Sequence, residues 1–286
     1  MEYTIESLLS EVNSIHEKPG DERSRAIIEH VTKQIFDTMV KFDVSHAEMW
    51  AFFRWLNDLG KANEAGLLGA GLGLERLLDI MADEKDKARG IQLGTARAIE
   101  GPLHVPGAPR VKGFDRIDDG KEQGEVLIME GNVKDLTGKI IPNAVVEVWL
   151  ANQQGTYSII DPTQTPYNNR RIIETAEDGH YGFQTLLPPG YSVPLGSPTQ
   201  KVMDLLGRHG HRPAHIHFMV TAPGYVPLTT QVNMPGDKYI DEDFAFATRD
   251  DLIVTINKVD DPKLVAKYKL EKPYSHVEFD FVLQKA

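Results

Sequence analysis

The sequence contains no cysteine. That absence removes disulfides, thiolate nucleophiles, zinc fingers and cysteine-ligated iron–sulfur clusters, so any metal must be held by nitrogen and oxygen. Positive charge is also short: 31 Lys and Arg against 42 Asp and Glu leave a formal charge of −11, which argues against a nucleic-acid or anionic-membrane surface. No apolar run reaches bilayer-spanning length, and the opening Met-Glu-Tyr-Thr-Ile-Glu lacks the basic, apolar profile of a signal peptide. The expectation from these absences is a cytoplasmic protein. There is no internal repeat and no low-complexity segment. What is present is 286 residues, 41% of them hydrophobic, enough to bury the core of one large domain or two unequal ones.

The first third reads as helical. Asp21 suits an N-cap, and Ile27, Ile28, Val31, Ile35 and Phe36 then recur on one helix face. Ser45 with Glu48 three residues later has the form of a capping box ahead of Trp50, Phe53, Leu56 and Leu59. A third helix is expected from Glu64 to Met81, although glycines at 66, 69, 71 and 73 weaken it and imply close approach of another helix or a ligand. Beyond a charged linker, three prolines and two glycines make Ile99 to Pro109 extended. The period then falls from near four to two. Strands are expected around Val126, Ile128 and Val133, from Val145 to Leu150, Gly182 to Thr185, His215 to Ala222 and Leu228 to Asn233, and in the tail Val277 to Phe281. The fold class is therefore mainly β with α: a helical region over residues 1–98 packed beside a β-sandwich over residues 99–286.

The chemistry concentrates between Tyr157 and His217. His215-Ile-His217 starts a strand, where residues two apart share a face and two imidazoles can reach one ion. Tyr157 lies in a loop and Tyr191 in the turn Leu-Pro-Pro-Gly-Tyr. Each tyrosine alone reads equally as a core or corner residue with a satisfied hydroxyl. Together, two imidazoles and two phenolates form a hard donor set with two negative charges, and phenolate at neutral pH needs a strongly positive neighbour. Ferric iron suits this set better than zinc, which more often recruits carboxylates or a third histidine. Arg212 can stabilise an anion or simply pair with a carboxylate, and Gln231 can serve the site or the sheet.

At these residues the sequence resembles the intradiol ring-cleavage dioxygenases, and within them the catechol-cleaving branch. The resemblance rests on seven ordered blocks: Glu-Arg-Leu-Leu-Asp79, Ile99-Glu-Gly-Pro-Leu103, Pro142 to Trp149, Gly-Thr-Tyr157-Ser, Leu-Pro-Pro-Gly-Tyr191, Arg212-Pro-Ala-His-Ile-His217, and Ala-Pro-Gly-Tyr225 through Gln231. It implies non-haem Fe(III) held by Tyr157, Tyr191, His215 and His217, and opening of catechol by dioxygen to cis,cis-muconate. It assigns Tyr191 as proton acceptor, with Arg212 and Gln231 stabilising negative charge, and a pocket of Leu68, Gly71, Ile99, Pro102, Leu103, Phe244 and Ala245. It further implies a homodimer through the N-terminal helices, with room for a phospholipid there. His104 and Pro106 depart from the usual Tyr and Ala and leave substrate preference open among catechol, chlorocatechol and hydroxyquinol. The reading from another class is a non-catalytic β-sandwich binding module.

Overall fold

The computed structural model describes residues 2–15, 17–18 and 20–286. Its chain contacts fall into two units, residues 1–61 and 62–286. The first holds α1 (Ile5–Val12), α2 (Glu22–Lys41) and α3 (His46–Lys61). Asp21 caps α2 by accepting from the Ser24 N–H, and Ser45 and Glu48 exchange the reciprocal bonds of a capping box at the start of α3. The expected apolar stripes are present but uncovered: neither α1 nor α2 has a buried residue, and α3 buries only Leu59.

The second unit begins with α4 (Ala65–Gly71) and α5 (Leu74–Ala88). The single helix expected from Glu64 to Met81 is thus two. Gly73 sits in the left-handed region at φ 73°, a conformation that glycine adopts without cost and that ends one helix before the next begins. The strands that follow are β1 (Arg110–Lys112), β2 (Phe114–Arg116), β3 (Val126–Asp135), β4 (Val145–Trp149), β5 (Arg170–Glu174), β6 (His180–Leu186) and β7 (Tyr191–Ser192). After α6 (Pro198–Leu205) come β8 (His211–Arg212), β9 (His215–Thr221), β10 (Leu228–Asn233), β11 (Asn257–Val259), α7 (Pro262–Lys267), β12 (Tyr274–Glu278) and β13 (Phe281–Leu283).

One sheet runs β1-β5-β4-β9-β10, and the other runs β11-β12-β3-β6-β2 with β13 also paired to β3. Alternation along each strand decides which face is buried. Ile216, Phe218 and Val220 of β9, Val146 and Val148 of β4, and Val232 of β10 join Leu127, Met129, Phe183 and Phe281 of the second sheet in one apolar core. The tilted aromatics Phe183, Phe218 and Phe281 fasten the layers, with ring centroids 6.1 and 4.9 Å apart. Truncating one of them costs about 3–5 kcal/mol. The remaining positions of β4, β9 and β10 therefore face away from that core, and they carry the polar chemistry described next. Among the described residues no helix is long and apolar enough to cross a membrane.

Candidate metal centre

A single row of paired residues crosses four strands on the face opposite the core. Arg170 of β5 stands opposite Trp149 of β4, Trp149 opposite His217 of β9, and His217 opposite Gln231 of β10. One step along β9, His215 pairs with Asn233. The two-residue period thus delivers both imidazoles, an indole, an amide and a guanidinium to one surface.

The tyrosines reach that surface from loops. Tyr157 is 1% exposed and emerges from a loop tied by Asn152, whose Oδ1 accepts from the Gln154 and Thr156 N–H groups. Tyr191 leads β7, which pairs with β8 so that Tyr191 lies opposite Arg212. Gly155 makes the approach possible: it sits at φ 73°, and a Cβ there would lie 2.8 Å from the Tyr191 Cβ.

The four side chains converge. The two phenol oxygens are 3.4 Å apart and the rings meet edge-on, Tyr191 lies 5.4 Å from the His215 ring, and the His215 and His217 Nε2 atoms are 3.1 Å apart. The Pro213 carbonyl 2.7 Å from His215 Nδ1 can only accept, so Nδ1 carries the proton and Nε2 presents its lone pair inward. Arg212 Nη1 donates to His215 Nε2 at 2.9 Å and to His217 Nε2 at 3.4 Å, so both inward nitrogens are acceptors.

Burial sets the protonation states. It depresses His215 to about 3, aided by the adjacent Arg212, and holds His217 well below the ordinary imidazole range. It lifts the Tyr157 phenol well above its usual range, aided by Tyr191. Two neutral imidazoles whose inward lone pairs, 3.1 Å apart, are met only by the shared Arg212 Nη1, together with a buried phenol that resists ionisation, make a donor set that a cation among them would satisfy better. The donor set fits a hard, highly charged metal ion, with Tyr157, Tyr191, His215 and His217 as the residues able to hold it.

Arg212 is 4% exposed and fully committed. Its Nε and Nη2 donate to the two Asp243 oxygens at 3.1 Å each, and Nη2 also donates to Gln231 Oε1 at 2.6 Å. Gln231 Nε2 in turn donates to Asn233 Oδ1 at 3.1 Å, which fixes the amide orientation. Burial pushes the Asp243 carboxyl up, but the Arg212 charge and the Ala245 N–H outweigh it and leave the group below its usual range. Asp243, which lies in no motif, therefore both aims the guanidinium and folds the loop carrying Phe244 and Ala245, by accepting from the Ala245 and Ala247 N–H groups.

A small cavity adjoins the convergence point, lined by Ile99, Pro102, Leu103, Phe244 and Ala245 together with Tyr191, Arg212 and His217. From α4 it takes Leu67 and Ala70. Leu68, one residue along, is not among its lining, because one residue turns a helix by about 100°. Gly71 bears on the cavity through its missing side chain: a Cβ there would come within 2.5 Å of the Phe244 ring. His104 lies behind the site, with Nε2 3.1 Å from Glu147 and its ring edge-on to Trp149.

Comparison with known proteins agrees across the whole chain. A family model described as "Dioxygenase" matches residues 99–285, and one described as "Catechol dioxygenase N terminus" matches residues 21–90. A catechol 1,2-dioxygenase of Acinetobacter guillouiae is 48% identical, the alignment covering 98% of this chain and 92% of that protein. The crystal structure of wild-type Acinetobacter radioresistens catechol 1,2 dioxygenase superposes with a TM-score of 0.96 at 46% identity, over 99% of this chain and 92% of that one. A chlorocatechol 1,2-dioxygenase of Rhodococcus opacus is similar at 32% identity, over 90% and 96%.

Proposed function

The chain belongs to the intradiol ring-cleavage dioxygenases, and we propose that it opens catechol between its two hydroxylated carbons with dioxygen, giving cis,cis-muconate. The observation that carries the reading is the convergence of two phenols and two inward imidazole lone pairs beside an apolar cavity. The family uses non-haem iron, and in this chain Tyr157, Tyr191, His215 and His217 would hold Fe(III). Bound there, the ion would supply Lewis acidity that favours loss of the catechol protons.

The chain's own groups do the rest. Tyr191 is less buried than Tyr157 and lines the cavity, so its oxygen is the one placed to accept a catechol proton. Arg212 Nη1, which here donates to the two imidazole lone pairs, would be available to face a developing negative oxygen when those lone pairs hold the ion. Asp243 and Gln231 keep the other guanidinium nitrogens from following. Ile99, Pro102, Leu103, Phe244 and Ala245 grip the ring and exclude water.

Catechol is favoured over chlorinated catechol because the chlorocatechol-cleaving relative stands at 32% identity and the catechol-cleaving one at 48%. The proposed assembly is a homodimer in the cytoplasm, supported by the uncovered stripes of α2 and α3, where Ile28, Val31, Trp50 and Phe53 are all exposed. The same apolar surface would take a phospholipid.

The test loads the purified protein with ferric iron and follows catechol loss, dioxygen uptake and muconate formation. One dioxygen consumed per muconate, with catechol faster than 4-chlorocatechol or hydroxyquinol and a red-brown tyrosinate-to-iron colour, is expected. A protein that stays colourless in excess ferric iron overturns the reading and leaves a β-sandwich binding module. Tyr191→Phe should hold iron but turn over more slowly, and unchanged turnover would remove it as the proton acceptor.

A further inference from the structure

Arg170 is a buried cation that the chemistry above does not use. It opens β5 with 2% exposure, and the ionisable neighbours that act on it are Tyr157 and Tyr167, with no carboxylate among them. Its Nε donates to Ser158 Oγ at 3.3 Å, one terminal nitrogen has no hydrogen-bond partner among the described residues, and the guanidinium carbon lies 5.6 Å from the centre of the Tyr157 ring. Burying an unpaired guanidinium is costly, so a fold that keeps one needs a compensating negative charge. Arg212, equally buried, has Asp243 for that purpose. Among the described residues Arg170 has the two tyrosines, of which Tyr157 presents its ring to the guanidinium.

The sheet register makes the placement deliberate. Arg170 occupies the row that runs through Trp149 to His217, on the face that carries the site. The two tyrosines consequently differ. Tyr157 is buried with the Arg170 guanidinium against its ring in addition to the charge of Arg212, while Tyr191 is partly exposed and has Arg212 alone, already paired with Asp243.

We infer that Arg170 is a positioning residue whose permanent charge, matched to negative charge on the Tyr157 oxygen, keeps Tyr157 on the metal and leaves Tyr191 as the tyrosine that can be released. The inference rests on the ferric reading of the site. It makes a spectroscopic prediction, because a fixed positive charge against the ring stabilises the electrons that tyrosinate donates to iron and so raises the energy of the charge-transfer band.

Two substitutions remove that charge by different routes. Arg170→Gln deletes it, and Ser158→Asp leaves the arginine in place but sets a carboxylate beside its Nε. In ferric-loaded protein both should move the visible band to longer wavelength, and both should weaken ferric retention against a chelator about tenfold, the scale set by losing one opposite charge within about 6 Å. If Arg170→Gln does not fold, Ser158→Asp decides alone, since it supplies a partner to a buried ion. A lower melting temperature with the band unmoved assigns Arg170 to packing and overturns the inference while leaving the ferric site intact. A wild-type protein with no such band overturns the ferric site itself.

Discussion

Trp149 and His217 lie face to face, their ring centroids 5.0 Å apart and their planes 2° from parallel, as register partners on neighbouring strands. The indole is 1% exposed and fills the space behind the imidazole, so the ring cannot rotate away from the position in which Nε2 meets that of His215. Trp149→Leu should keep the fold but raise the rate of ferric loss about tenfold, read by chelator competition. Trp149→Phe, which retains a ring face, should lose less. Equal iron retention in wild type and the leucine variant would deny the indole this role.

Asp243 offers a cleaner separation of aiming from metal binding, because it touches Arg212 and two backbone N–H groups but none of the four converging side chains. Asp243→Asn keeps the shape and loses the charge that orients the guanidinium. We expect kcat to fall about a hundredfold, the scale of losing one aimed donor, with iron content and visible band unchanged. Steady-state kinetics beside metal analysis decides it. A proportionate loss of iron would mean that the residue serves the fold.

Gly155 combines a left-handed backbone with a close neighbour. Gly155→Ala would strain the φ of 73° and push its methyl to 2.8 Å from the Tyr191 Cβ. The cost is about 1–3 kcal/mol, visible as a lower melting temperature, and ferric content should fall with it because the two tyrosine loops separate. An unchanged melting temperature would show that the loops yield without strain.

A pH dependence is expected from α5. Burial raises the Asp79 carboxyl from the ordinary 3.8 to about 6, with Arg76 opposing the rise and Asp83 adding to it, and one Asp79 oxygen has no hydrogen-bond partner among the described residues. The folded protein therefore holds this proton more tightly than the unfolded chain does. The associated stability is fully present below about pH 4 and is lost as pH rises through 6. Asp79→Asn cannot ionise, so its melting temperature should gain on the wild type between pH 4 and 7 and hold a constant advantage above. A difference that does not vary with pH would place the titration elsewhere.

Much of this was legible in the chain because a two-residue period is local. His215-Ile-His217 declares a shared face, and Asp21 and Ser45 declare helix starts, without knowledge of any partner. Other features depend on what lies opposite. β5 escaped notice because arginines at 170 and 171 and a glutamate at 174 flank only two isoleucines, and the reason for that composition, a row shared with Trp149 and His217, exists only once the sheet is in register. Asp243 was hidden for the same reason, since its partner is 31 residues away. The apolar tail expected as one strand from Val277 to Phe281 divides into β12 and β13, where the Phe279 carbonyl leaves the ladder to accept from the Tyr181 hydroxyl at 2.8 Å.

The pairing of β12 and β13 with β3 has a consequence for biosynthesis. Both run parallel to β3, and Val277 and Phe281 of those strands sit in the same core as Leu127 and Val133. A nascent chain therefore exposes one flank of β3 throughout the time it takes the ribosome to reach residue 274, and every residue of the row from Arg170 to Gln231 is made before that flank is covered. Ribosome-bound intermediates that lack β12 and β13 should accordingly be the form most dependent on chaperones, and closure of the site should await synthesis of those two strands.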